Sequence, residues 1–267
     1  MTDHADPELV DRLARLAGKR LTARDGLGVL GICGAQGSGK SSLAAALEHR
    51  LNGVGVPCAR LSLDDLYLSR AARQKLAAAV HPLFATRGVP GTHDLALGLA
   101  ALAALERGEP AALPRFDKGS DEPMLRADWP RAPARCRVLV LEGWCMGAVP
   151  QSPGELALPV NALEAQEDPQ GIWRGHANTA LGGEYQNLFA RIDTLVLLAV
   201  PGWDIVARWR TAGSRTARHR RQARDVTAQI ARFIQHYERL TRHILNEMPA
   251  RADLTVRLDA QRRIVSL

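Results

Sequence analysis

The sequence predicts an α/β fold in which a mostly parallel central sheet lies between layers of helices. Three features point to it. Residues 28–33 (GVLGIC) read as a short buried strand, and residues 42–51 (SLAAALEHRL) read as a helix soon after it. Two later runs, residues 137–141 and 193–200, are strand-length and almost wholly apolar. Helix-like segments alternate with these strands, the order expected of a sheet built from βα units.

Residues 5–20 read as an amphipathic helix outside the sheet, with Leu9, Leu13 and Leu16 on one face. After the first strand and helix, residues 57–63 predict a second strand that ends at Asp64-Asp65. Residues 69–94 are basic and turn-rich, with His81-Pro82 and Gly88-Val89-Pro90-Gly91. Residues 95–107 read as a helix. Residues 110–133 combine proline and charge and read as a long functional loop. The apolar run at 137–141 ends at Glu142-Gly143, and that at 193–200 ends at Pro201. Residues 203–215 and 225–247 predict two helices, and residues 254–258 alternate like an edge strand. No internal repeat is present, and residues 1–267 read as one domain.

The joint between the first strand and its helix carries the chemistry. Gly34-Ala35-Gln36-Gly37-Ser38-Gly39-Lys40-Ser41 fits G-x-x-x-x-G-K-S. Its glycines let consecutive backbone N–H groups turn inward around a phosphate. Lys40 can reach the β- and γ-phosphates, and the Ser41 hydroxyl can hold Mg²⁺. The helix that follows presents free N–H groups and a positive dipole end. Residues Gly34 to Ser42 are therefore the candidate nucleotide site, with ATP and Mg²⁺ as its ligands. With this loop the fold class becomes the three-layer α/β/α sandwich of P-loop NTPases.

Parallel sheets bind ligands beyond the carboxyl ends of their strands. Three strand ends here carry reactive groups: the phosphate loop, Asp64-Asp65 and Glu142. The topology would bring them together from distant parts of the chain, which argues for an enzyme rather than a binder. Asp64 or Asp65 could orient or deprotonate an acceptor hydroxyl. Glu142, at the end of an apolar strand, stands in the Walker B position and would hold Mg²⁺ through water. Tyr67 reads as a packing residue with a polar tip.

Composition narrows the classes further. Hydrophobic residues make up 46% of the chain, which excludes a disordered segment. No apolar run is long enough to span a membrane. The acidic start of the chain lacks the apolar core of a signal peptide, so a cytoplasmic location is expected. Cys33, Cys58, Cys136 and Cys145 are widely spaced and form no C-x-x-C pair, so they read as small core residues. The net charge of +7 suits anionic ligands. Arginines cluster at Arg208, Arg210, Arg215, Arg218, Arg220, Arg221 and Arg224, with no acidic residue from 205 to 224. That segment reads as a solvated basic helix or as a lid on phosphate.

At this point the chain resembles a known family. Leu63-Asp64-Asp65-Leu66-Tyr67, Arg87-Gly88-Val89-Pro90-Gly91-Thr92-His93-Asp94, Leu113-Pro114-Arg115-Phe116-Asp117-Lys118 and Leu141-Glu142-Gly143-Trp144 resemble successive motifs of the D-glycerate 3-kinases. That group sits in the phosphoribulokinase, uridine kinase and pantothenate kinase branch. The resemblance runs from about residue 28 to 258, and residues 233–241 resemble the family's C-terminal helix. It implies an ATP-dependent kinase with a small anionic acceptor, the glycerate of the family's name. It also implies roles: Asp64 as base, Arg208 as a catalytic arginine, and Tyr67, Arg87, His93, Arg115 and Lys118 around the acceptor. Arginine's two-pronged fork suits a carboxylate substrate. After Trp209 the chain departs from the family, where a Gln-Glu pair is expected.

Two alternatives stay open. One is a kinase for another small acceptor, such as a nucleoside, pantothenate or a sugar phosphate. The other is a nucleotide-dependent regulator or RNA-binding ATPase that uses the arginine cluster. No basic surface interleaved with aromatics supports nucleic acid, and no N-K-x-D motif supports a GTPase. Oligomeric state is not legible.

Overall fold

A computed structural model describes residues 5–23, 26–213 and 220–267. In chain order its elements begin with α1 (Pro7–Ala23), β1 (Gly28–Gly34), α2 (Lys40–Gly53) and β2 (Cys58–Ser62). Next come α3 (Arg70–Ala79), α4 (Leu95–Glu106), β3 (Phe116–Asp117), β4 (Glu122–Pro123) and β5 (Val138–Gly143). They continue with α5 (Pro153–Leu156), α6 (Ala162–Glu167), α7 (Ile172–Gly182), α8 (Glu184–Phe189) and β6 (Thr194–Ala199). The chain closes with α9 (Trp203–Gly213), α10 (Arg220–Glu247), β7 (Leu254–Leu258) and β8 (Ile264–Ser266).

Six strands form one sheet in the order β2-β5-β1-β6-β7-β8. The first five run parallel, and β8 closes the edge antiparallel to β7. Every residue of β5 and β6 is buried, as strands covered on both faces require. Burying each Val or Leu of β5 contributes ~1.5–3 kcal/mol. Leu9, Val10 and Leu13 of α1 join the core, and Leu43, Ala44, Leu47 and Leu51 of α2 cover the sheet beside them. The α/β sandwich with a mostly parallel sheet is therefore the observed architecture.

Three segments differ from the sequence reading. The basic stretch after Ser69 folds into α3, because the Ser69 hydroxyl caps Ala72 N–H at 3.2 Å. Its Arg73 is buried rather than solvated. Residues 148–191, where no element was expected, hold α5 to α8, started by local caps such as Asn161 on Glu164 N–H. The alternating run at 254–258 is not an edge: β7 lies between β6 and β8, with Leu254, Val256 and Leu258 buried.

Candidate active site

The phosphate loop joins β1 to α2, in the middle of the sheet. Gly37 (φ 84°) and Gly39 (φ 88°) take left-handed backbone that glycine adopts without steric cost. A Cβ on Gly34 would lie 2.6 Å from the Ser38 hydroxyl. The Ser38 N–H bonds Ala35 O at 3.1 Å, which closes the turn. Gln36 Oε1 and Ser38 Oγ are buried without a partner. Lys40, Ser41 and Ser42 form the first turn of α2, whose free N–H groups face the loop.

β1 and β5 are neighbours, and their register sets Ile32 beside Glu142. The Ser41 hydroxyl donates to Glu142 Oε1 at 2.9 Å, while Glu142 Oε2 is buried and unpartnered. A hydroxyl beside an orphaned carboxylate oxygen is a hard oxygen pair that fits Mg²⁺. Among the described residues no three His, Cys, Asp or Glu side chains group around a metal position. A cation here would take its remaining ligands from phosphate and water.

β2 ends at Ser62, whose hydroxyl accepts the Asp64 N–H at 3.2 Å and turns the chain so that the two aspartates diverge. Asp64 accepts from the Tyr67 hydroxyl at 2.7 Å and from Lys118 Nζ at 2.5 Å. Burial alone would push its carboxyl up, but Lys118 and Lys40 outweigh burial and hold it at about 2. Asp65 instead accepts the Phe116 N–H at 3.3 Å and pairs with Arg115 at 3.4 Å. Burial raises its carboxyl despite Arg115. The two carboxylates thus have separate work: Asp64 faces the phosphate loop and Asp65 anchors β3.

A cleft of about 190 Å³ opens between these parts. Gln36, Gly37, Lys40 and Ser41 line one side, and Asp64, Tyr67, Arg87 and Lys118 line the other. Trp144, Phe233 and Tyr237 complete it. Arg87 enters from the Arg87–Asp94 loop. Thr92 is fully buried and staples that loop, donating to Val89 O at 2.7 Å and accepting from Gly88 N–H at 3.0 Å. A Cβ on Gly88 (φ 139°) would lie 2.0 Å from the Tyr237 hydroxyl, which donates to Arg87 O.

Several expected site residues stand elsewhere. His93 is buried outside the cleft lining, stacked on Tyr67 with ring centroids 4.6 Å apart. Its Nδ1 pairs with the Tyr185 hydroxyl at 2.5 Å, and burial lowers its pKa to about 3, so it supplies no cation. Arg115 is likewise absent from the lining and is turned to Asp65. Arg208 is exposed on α9 and does not line the cleft; its neighbour Trp209 packs against the loop, 3.4 Å from where a Gly37 Cβ would stand. The side chains of the arginine-rich segment from Arg210 to Arg224 lie outside the described residues.

The sequence reading missed Trp144, Phe233, Tyr237 and Asp121. The first three lie in stretches that carry the family resemblance, but as uncharged aromatic residues they gave no chemical signal. Asp121 has left-handed backbone (φ 62°), binds Arg73 and Arg87, and lies 3.6 Å from Arg70. Arg87 also lies over the Phe116 ring at 5.6 Å.

A phosphate loop at the carboxyl edge of a parallel sheet, facing an ionised carboxylate across a cleft, defines a phosphate-loop kinase. The chain is 30% identical over 239 residues to the uncharacterized kinase mug58 of Schizosaccharomyces pombe, covering 86% of this chain and 85% of that protein. It belongs to the same kinase family as mug58, and it is an ATP-dependent kinase. It is 27% identical to the chloroplastic D-glycerate 3-kinase of Arabidopsis thaliana, over 88% of this chain and 53% of that one. The fold matches the structure of D-glycerate 3-kinase from Cryptococcus neoformans var. grubii with a TM-score of 0.77 at 23% identity, covering 98% and 99% of the two chains. The YGR205w protein matches with a TM-score of 0.74 at 21% identity, over 96% of each chain. No protein-family model matches the chain. Among the described residues no helix is long and apolar enough to cross a membrane.

Proposed function

We propose that this kinase transfers the γ-phosphoryl group of ATP to a hydroxyl of a small organic acid, D-glycerate first among them. The observation that carries this reading is Asp64: an ionised carboxylate in the same cleft as the phosphate loop, with Lys118 and Arg87 beside it. The acceptor hydroxyl oxygen forms the new bond to phosphorus as the bond between phosphorus and the β–γ bridging oxygen breaks. Asp64 orients that hydroxyl and accepts its proton, and ADP leaves.

The loop from Gly34 to Ser42 cradles the phosphates, and Lys40 neutralises charge as it develops between them. Ser41 and Glu142 would hold Mg²⁺, which when bound spreads the negative charge of the β- and γ-phosphates. Arg87 and Lys118 supply the cations for the acceptor's carboxylate. Tyr67 holds Asp64, and His93 supports Tyr67 by stacking on it. Arg115 acts one step back, through Asp65. Arg208 has no part in this scheme. All of residues 1–267 act as one domain.

The name of the Arabidopsis relative, a D-glycerate 3-kinase, supports the same acceptor. A panel of D-glycerate, pantothenate, uridine and ribulose 5-phosphate, each offered with ATP and Mg²⁺, tests the assignment. D-glycerate should give the highest kcat/KM, with phosphorylated acid as product. Turnover of uridine without turnover of D-glycerate would remove the substrate assignment.

A further inference from the structure

Arg87 enters the cleft from a stretch of main chain that two aromatic side chains hold from different directions. The Tyr237 hydroxyl donates to Arg87 O at 3.1 Å, and Trp144 Nε1 donates to Gly88 O at 2.9 Å. Two consecutive carbonyls are thus tied to two separate elements. Tyr237 stands on α10, while Trp144 follows β5 directly, next to Glu142-Gly143. The two rings are buried and meet edge to face, with centroids 4.9 Å apart. Close packing of this kind holds a ring in one rotamer.

These ties differ from the others on the loop. Thr92 bonds Gly88 N–H and Val89 O, which shapes the loop but does not place it. Tyr185 and Leu68 bond Gly91 and Thr92, farther along the chain. Asp121 holds the Arg87 guanidinium, which also lies over Phe116. Tyr237 and Trp144 instead fix where that side chain starts. The strand end that carries Glu142 also carries Trp144, so the metal position and the acceptor cation share one frame.

Both rings line the cleft, yet both of their donors are committed to the loop. Neither has a proton left to offer an acceptor molecule. The geometry points to Tyr237 and Trp144 as positioning residues, which set how far Arg87 stands from the phosphate loop. The inference rests on the reading of Arg87 as a cation for the acceptor's carboxylate.

Tyr237→Phe deletes one oxygen and keeps the ring. With D-glycerate, ATP and Mg²⁺, the acceptor KM should rise ~2–10-fold, the worth of one hydrogen bond. The ATP KM should stay level. So should kcat, because the contact with the carboxylate is the same before and during transfer. Trp144→Phe, checked for folding by circular dichroism, should act in the same direction. A double-mutant cycle isolates the route: in an Arg87→Ala background, Tyr237→Phe should raise the acceptor KM no further. Additive effects would mean that Tyr237 meets the acceptor itself, and would overturn the proposal. Equal rises in the ATP and acceptor KM would overturn it too, as would an unchanged acceptor KM in Tyr237→Phe while Arg87→Ala raises it. An Arg87→Ala protein with an unchanged acceptor KM would remove the reading of Arg87, and the proposal with it. If D-glycerate is not turned over, the same cycle runs on the panel member with the highest kcat/KM, which separates the substrate assignment from the positioning role.

Discussion

Asp64 is a carboxylate kept ionised by its neighbours against the pull of burial. A base with so low a pKa is weak at rest, and Lys118 is the cation that does most to make it so. Replacing Asp64 with Asn keeps the shape and removes the base. Steady-state kinetics should show kcat lower by ~10²–10⁴-fold with ATP affinity almost unchanged. The matching Asp65→Asn protein should lose stability more than turnover, since Asp65 holds Arg115 and the Phe116 N–H. A larger kcat loss in Asp65→Asn would exchange the two roles. Removing the cation of Lys118 tests the electrostatics separately. In Lys118→Met, burial opposes only Lys40 and the Tyr67 hydrogen bond, so the Asp64 pKa rises. The acid limb of kcat/KM should then move to higher pH, because that ratio reports the free enzyme's groups. An acid limb that stays in place would show that another group controls it.

The Arg87–Asp94 loop and the β3–β4 hairpin work as a pair. The hairpin reaches back with Asp121 to bind Arg87 and the buried Arg73, and this fixes where Arg87 enters the cleft. Asp121→Asn should raise the acceptor KM about tenfold, the loss expected when a positioned charge pair is loosened. The KM for ATP should stay the same, because Asp121 does not line the cleft. An equal rise in both would mean that the hairpin supports the whole site. These elements also mark how far the sequence could be read. The phosphate loop and the strand ends were legible because glycine spacing and apolar runs carry local signals. Helix α3 was not, since Arg and Lys on a short helix look the same as a polar turn until Arg73 finds Asp121. Helices α7 and α8 were hidden by Gly171, Gly175, Gly182 and Gly183, which read as breaks. Motif resemblance brought out Arg115 and His93 as residue types, but their partners, Asp65 and Tyr185, come from the tertiary fold.

Across the molecule one hydrophobic core joins the sheet to its helices, and all four cysteines lie buried within it. Burial pushes the Cys33 thiol up to about 12 and the Cys136 thiol up to about 11. Reaction needs an exposed thiolate. A disulfide reagent should therefore label none of the four on the timescale that labels free thiol peptides, and the labelling rate should follow denaturant as opening does. Fast native labelling of Cys33 would mean that the sheet opens beside the phosphate loop. The placement of β1 at the sheet's centre has a consequence for the newborn chain. Its two partners, β5 and β6, are made long after it, and β7 later still. Until residues 138–143 and 194–199 leave the ribosome, the strand that carries the phosphate loop has no sheet to join. Such non-local pairing is slow and leaves strand edges open to other chains. The loop that grips the nucleotide is synthesised well before the strands that scaffold it.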